Sequence, residues 1–192
     1  MLSQKAGDLL ASLIGAEKDS VTMMSNATTS HWVALSTQFS SENRKRKKVV
    51  MTDHDFPSAL YAISRICAFM GWTLDVVPSH GKPGIDIERI LVRVDEKTLF
   101  VATSHVYFKS AYIQDVARLS QHARKKGVLT VIDGYHAPGT VPVNVRELGV
   151  DFYIGGCLKW LCGGPGNAFL YARPQLREDS EPFLTGWLAH KK

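Results

Sequence analysis

Short β-branched runs alternate along the chain with longer amphipathic stretches. This alternation is typical of a parallel sheet that is covered by helices on both faces. The pattern predicts strands at 21–24, 48–52, 73–77, 99–104, 128–133, 152–155 and 168–171. It predicts helices at 4–14, 27–39, 57–70, 86–94 and 113–126. We therefore expect an α/β fold with three layers, α/β/α, around a mostly parallel seven-stranded sheet.

The composition favours one folded domain, since 45% of the 192 residues are hydrophobic and 21% are charged. No run of about eighteen apolar residues occurs, and the N-terminal sequence lacks a basic region followed by a cleavage site. We expect a cytoplasmic protein with no membrane segment. Cys67, Cys157 and Cys162 fit neither a disulfide framework nor a metal-ligand spacing, so no metal site is expected.

The formal net charge of +5 raises the alternative of a nucleic-acid partner. Much of the excess lies in one basic run at 44–48, directly before the apolar Val49 and Val50. No aromatic side chains that could stack on bases are interleaved with this run. We interpret this run as a solvent-exposed segment that leads into a strand, and we expect no nucleic-acid partner.

Polar side chains follow several of the predicted strands, at 25–29, 53–58, 104–105 and 133–136. Ligands of open α/β sheets bind beyond the carboxyl ends of the strands, so these segments are candidate binding positions. Asp133 and His136 belong to the last of them, and Lys159 lies further along, between glycine-rich stretches. Ordinary explanations exist, because an aspartate after a strand is often a turn residue and a loop lysine is often merely solvated.

The surroundings of Lys159 favour a functional explanation over these ordinary ones. Glycines on both sides would let the backbone approach a flat ligand closely. A partly desolvated amine beside another cationic group has a lowered pKa and becomes a nucleophile. A nucleophilic lysine together with Asp133 points to covalent chemistry on a small ligand.

Five segments in order, FPSALYAI, SHVYFKSA, DGYHAPG, VDFYIGGCLKWLCGGPG and the final TGW-x-x-H, resemble the kynureninase family. That family lies within the class V aminotransferase group of fold-type-I enzymes that depend on pyridoxal 5′-phosphate (PLP). The resemblance runs from about Asn26 to His190 and implies the large domain of the PLP-dependent transferase-like fold. It implies that Lys159 forms a Schiff base with the cofactor and acts as acid and base. Asp133 would hold the protonated pyridine nitrogen.

The resemblance also assigns further cofactor contacts. Thr28 and Thr29 would bind the phosphate at a helix N-terminus, and Phe56 would lie against the pyridine ring. Ser104 and His136 match cofactor-contacting positions. Trp187 matches a tryptophan that reaches the phosphate of a neighbouring subunit, which implies a homodimer with shared active sites.

The activity implied is that of a hydrolase of tryptophan catabolism, which cleaves the Cβ–Cγ bond of the amino acids kynurenine or 3-hydroxykynurenine. A desulfurase or an epimerase of the same group, or an inactive fragment, are the alternatives. Two positions depart from the family pattern, with Ala59 in place of an aspartate and Leu158 in place of a phosphate-binding tyrosine. The matched segments end near Trp187, so we expect 1–192 to be an incomplete large domain that lacks the C-terminal small domain.

Overall fold

The computed structural model describes residues 2–39 and 45–185, and these contain one seven-stranded sheet with the order β1-β7-β6-β5-β4-β2-β3. The strands are β1 (Val21–Met24), β2 (Lys48–Thr52), β3 (Thr73–Val77), β4 (Thr98–Ser104), β5 (Leu129–Asp133), β6 (Phe152–Gly156) and β7 (Ala168–Ala172). Strands β2 to β6 pair in parallel, whereas β7 runs antiparallel to both of its neighbours. The expected seven-stranded, mostly parallel sheet is confirmed.

Seven helices are found in the described residues: α1 (Leu2–Leu13), α2 (Ala27–Ser36), α3 (Pro57–Met70), α4 (Ile87–Leu91), α5 (Val116–Lys125), α6 (Val145–Leu148) and α7 (Pro174–Asp179). Residues from α2 and α3 share one apolar cluster with one face of the sheet. Residues from α1, α4, α5 and α6 share a second cluster with the opposite face. Both faces of the sheet are therefore covered, which confirms the three-layer prediction.

Side chains of the central strands alternate between these two clusters, as the two-residue period of a strand requires. In β2, Val49 and Met51 belong to the cluster with α2 and α3, whereas Val50 belongs to the opposite cluster. The carboxyl ends of β4 and β5 are in register, since Ser104 pairs with Asp133. Polar residues that follow these strands are thereby delivered to the same edge of the sheet.

Local capping explains why one predicted helix begins later than expected. The apolar stripe predicted a start at residue 113, but α5 begins at Val116 because the Asp115 side chain accepts a hydrogen bond from the Arg118 backbone N–H. Ile113 instead forms an isolated antiparallel bridge with Val106. The short helices α6 and α7 were not predicted, because four to six residues carry too little periodicity to distinguish them from a turn.

Two residues of the basic run are bound to the protein itself. Arg46 donates to the carbonyl oxygens of Thr98 and Lys126 at 2.9 and 2.8 Å. Lys48 forms an ion pair with Asp95 at 2.7 Å.

Within residues 2–39 and 45–185, no helix has the length and apolarity needed to cross a membrane. The same residues contain no group of three or more side chains suited to hold a metal ion.

Candidate active site

A cleft of about 270 Å³ opens at the carboxyl edge of the central strands. Its walls come from the start of α2, the turn between β2 and α3, the end of β4, and the loops after β5 and β6. Six of the predicted site residues line it: Thr28, Phe56, Ser104, Asp133, His136 and Lys159. Segments that are far apart in sequence thus meet where the strand-end rule predicts a ligand.

Asp133 is the last residue of β5 and is only 7% exposed. Its Oδ1 accepts a hydrogen bond from the Tyr135 backbone N–H at 2.9 Å, which fixes the direction of the carboxylate. No described residue donates to Oδ2, so this oxygen can accept a hydrogen bond from a ligand in the cleft. A buried carboxylate with one open oxygen is suited to pair with a ligand cation or a charged N–H group.

Lys159 lies in the turn that follows β6 and reaches the same cleft as Asp133. No described residue forms an ion pair with its amine.

The glycines that precede Lys159 are required for packing rather than for the approach of a ligand, which was the expected reason. A Cβ on Gly155 would lie 2.2 Å from the Phe169 ring, and one on Gly156 would lie 2.2 Å from the Tyr135 ring. These glycines make room for aromatic side chains of the protein, so they are not themselves evidence for a flat ligand.

His136 lies close enough to Lys159 and Asp133 for both charges to act on it. Its pKa is lowered mainly by burial and also by the positive charge of Lys159, while Asp133 acts in the opposite direction. The imidazole is therefore biased towards its neutral form, in which one ring nitrogen can donate and the other can accept a hydrogen bond. Tyr135 also lines the cleft, and burial together with Asp133 raises the pKa of its phenol.

The start of α2 lies at one end of the cleft and could hold an anion. Asn26 caps the helix, with its Oδ1 accepting from the Thr29 N–H at 2.8 Å and from the Thr29 hydroxyl at 3.1 Å. Thr28 lines the cleft, whereas Thr29, whose N–H and hydroxyl both bond to Asn26, does not. Among the described residues, no hydrogen bond engages the backbone N–H groups of Ala27 and Thr28. A helix N-terminus with free N–H groups attracts phosphate.

An aromatic wall closes part of the cleft. Phe56, which is 43% exposed, packs edge-on against Phe108 with ring centroids 5.0 Å apart. Ala59 and Leu158, the two departures from the family pattern, also line the cleft. Both are apolar, so neither can replace the hydrogen bonds of the aspartate and the tyrosine expected there. The wall leaves room for a ligand with apolar or aromatic surface.

Sequence reasoning missed several residues of this region. Asn26 and Tyr135 fall inside the polar segments 25–29 and 133–136 but were given no role, and His31 lies outside these segments; all three line the cleft. Asp55 lies behind one wall of the cleft. Asp55 accepts hydrogen bonds from the Ser104 N–H at 2.6 Å and from the Ser104 hydroxyl at 2.9 Å. The segment 53–58 was noted as polar, but only the pairing of β2 with β4 shows which carboxylate lies next to Ser104.

A buried histidine supports the Asp133 loop. The His105 backbone N–H donates to the Asp133 carbonyl at 2.8 Å, and its ring Nδ1 lies 2.9 Å from the Tyr153 hydroxyl. Burial lowers the pKa of His105 to about 4, so the ring is neutral at physiological pH. Burial and Asp133 raise the pKa of Tyr153. This pair is a neutral hydrogen-bonded support rather than a source of charge.

Trp187, the remaining predicted site residue, lies outside the described residues.

A family model and individual relatives both place this chain among proteins of one family. The model of the aminotransferase class-V family matches residues 2–188. A kynureninase from Geobacillus thermodenitrificans is 32% identical over 196 residues, covering 100% of this chain and 45% of the relative. An uncharacterized aminotransferase from Bacillus subtilis, YcbU, is 30% identical over 181 residues, covering 94% of this chain and 47% of the relative. The chain thus spans about half the length of these relatives.

Solved structures show the same fold. The apo cysteine desulfurase from Thermococcus onnurineus NA1 superimposes with a TM-score of 0.82 at 24% identity, covering 96% of this chain and 46% of that one. At this identity the likeness carries the fold and not the reaction. The α/β/α architecture around the cleft is therefore shared with enzymes of different substrates.

Proposed function

The chain belongs to the class V aminotransferase family, and we propose that it is the cofactor-binding large domain of an enzyme that acts on an amino acid. Pyridoxal phosphate is the cofactor that this membership indicates. The observation that carries the proposal is the meeting of two side chains in one cleft, Asp133 from the end of β5 and Lys159 from the turn after the neighbouring β6. An amine and an open carboxylate at one ligand are what a PLP site needs.

The cleft residues fit this cofactor in three respects. Lys159 would carry it covalently, Asp133 would accept from the pyridine nitrogen through Oδ2, and the free N–H groups at the start of α2 would bind the phosphate. Phe56 and His136 would lie beside the ring. When bound, the cofactor supplies an electron sink for the substrate's α-carbon. Lys159 would then move the proton, since its amine faces the same cleft.

For the reaction, we propose hydrolytic cleavage between the β- and γ-carbons of kynurenine or 3-hydroxykynurenine. One water is consumed, and anthranilate or its hydroxy derivative and alanine are released. The kynureninase relative that matches the whole chain supports this choice. The wall of Phe56 and Phe108 also suits an aryl side chain.

A cysteine desulfurase is the alternative that the structural likeness raises. Such an enzyme needs a nucleophilic thiolate near the substrate. Burial raises the pKa of Cys157, and neither Cys157 nor Cys162 lines the cleft. Within the described residues, neither cysteine is placed to be that thiolate, so a desulfurase would have to supply it from outside these residues.

For the assembly, we propose a cytoplasmic homodimer in which Trp187 of each chain completes the site of the other. The resemblance supports this arrangement. Sedimentation equilibrium of the 192-residue chain should give twice the monomer mass, and a monomer that nevertheless binds PLP with full affinity would contradict it.

The cofactor and the reaction are tested separately. Titration of the chain with PLP should produce an absorption band near the visible edge, which Lys159→Ala should abolish. Lys109→Ala is the matched control, because Lys109 lies over the Phe108 ring at 5.5 Å and is absent from the cleft lining. Kynurenine or 3-hydroxykynurenine should then yield the fluorescence of (hydroxy)anthranilate. Release of sulfide from cysteine without any anthranilate would favour the desulfurase.

A further inference from the structure

The carboxylate of Asp55 lies behind the cleft wall and is 4% exposed. Its Oδ2 accepts from the Thr52 N–H and hydroxyl, both at 2.9 Å. Its Oδ1 accepts from the Ser104 N–H at 2.6 Å, the Ser104 hydroxyl at 2.9 Å and the Thr103 hydroxyl at 3.3 Å. Five donors from the ends of β2 and β4 thus converge on one buried carboxyl group.

No cation pairs with Asp55 among the described residues, so hydrogen bonds alone compensate its charge. An ionised carboxylate accepts and cannot donate, which requires the Ser104 hydroxyl hydrogen to point at Asp55. Hydrogen bonds to a charged acceptor are about twice as strong as neutral ones, so this orientation is firmly held. Ser104 faces the cleft, and Asp55 itself does not line it.

We infer that Asp55 is a positioning residue for the cofactor cleft. It holds the Ser104 hydroxyl hydrogen on the buried side, so that Ser104 offers a bound cofactor a lone pair with a fixed direction. Ser104 is in register with Asp133 on the adjacent strand, which places this acceptor beside the carboxylate assigned to the pyridine nitrogen. The inference rests on the proposed binding of PLP.

A double-mutant cycle on PLP affinity separates positioning from general support. Asp55→Asn keeps the side-chain shape and removes the charge, so we expect PLP to bind about three- to tenfold more weakly. In a Ser104→Ala background the same substitution should have no further effect, because there is no hydroxyl left to orient. The absorption maximum of bound PLP should shift alike in Asp55→Asn and Ser104→Ala.

Asp53→Asn is the matched control. Asp53 lies in the same turn and binds the Ser79 N–H with both oxygens at 2.9 and 2.8 Å, but it contacts neither Ser104 nor the cleft. PLP affinity should be unchanged in this variant.

If Asp55→Asn does not fold, Thr52→Val removes one donor that anchors the Asp55 carboxylate. It should show a smaller loss of the same sign, which Ser104→Ala again abolishes.

The outcomes distinguish the two proposals. An equal loss of PLP affinity from Asp55→Asn with and without the Ser104 hydroxyl would overturn the positioning role and leave the cofactor assignment intact. Failure of the unaltered chain to bind PLP would overturn both.

Discussion

Asp133 has one carboxylate oxygen bonded to its own loop and one open towards the cleft. Asp133→Asn preserves the shape and removes the charge, so a charge-assisted hydrogen bond worth about 1.5–3 kcal/mol would be lost. We expect PLP affinity to fall by about tenfold or more, measured by absorption titration. Asp115→Asn is the control, because Asp115 caps α5 away from the cleft and should leave PLP affinity unchanged. Equal losses in both variants would argue against the role of Asp133.

Asp55 predicts a dependence of stability on pH. Burial raises its pKa from 3.8 to about 6, whereas the hydrogen bonds from Thr52 and Ser104 lower it. A raised pKa means that the folded chain favours the protonated form of Asp55. The contribution of this carboxyl group to the free energy of unfolding is therefore complete below pH 3.8 and is lost as pH rises through about 6. The free energy of unfolding should therefore fall, relative to Asp55→Asn, by about 1 kcal/mol between pH 5 and pH 8. Urea unfolding of both chains at each pH measures this difference, and a constant difference would contradict it.

At the scale of elements, the Asn26 cap of α2 should affect both stability and the proposed binding of phosphate. Asn26→Ala removes the hydrogen bonds to Thr29 and should lower the free energy of unfolding by about 1 kcal/mol. Because the same turn presents the free N–H groups to the cleft, PLP affinity should fall by about threefold or more. Asn144→Ala removes the cap of α6, away from the cleft, and should cost similar stability with no change in PLP affinity.

The end of β6 is shaped by an aromatic ring that packs on it. Gly156→Ala would place a Cβ 2.2 Å from the Tyr135 ring, which must move. We expect the free energy of unfolding to fall by about 1–3 kcal/mol. Gly164→Ala is the control, because no atom of the described residues lies within 4 Å of a Cβ there, and thermal unfolding of the two variants should differ clearly. An undisturbed Gly156→Ala chain would mean that Tyr135 does not pack on this strand.

The bounds of β1, β2, β3 and α3 agree with the sequence pattern, because local periodicity and flanking turns define them. The end of α2 was predicted three residues late, at 39. The Ser36 and Thr37 hydroxyls bond back to the carbonyls of Val33 and Ala34 there, an alternative to helix that composition alone does not reveal. Strand order and the antiparallel β7 depend on pairing between distant segments, so only the structure supplies them.

Across the whole molecule, the site could be predicted where one residue carries recognisable chemistry. Lys159 and Asp133 belong to this class, since an amine and a carboxylate at strand ends are visible in the sequence. Asp55 does not, because its place at the site depends on Ser104, which is 49 residues away in sequence. His31 does not either, because only the fold shows that it lines the cleft. Gly155 and Gly156 show the opposite case, because the sequence suggested room for a ligand there and the structure places the rings of Phe169 and Tyr135 against them.

The most direct test is to load the chain with PLP, reduce it with borohydride and map the labelled peptide. The account predicts that the reduced cofactor is attached to Lys159, within the turn that follows β6, and that Lys159→Ala carries no label. Label spread over exposed lysines, or label that persists in Lys159→Ala, would contradict the central claim that this amine and Asp133 share one cofactor.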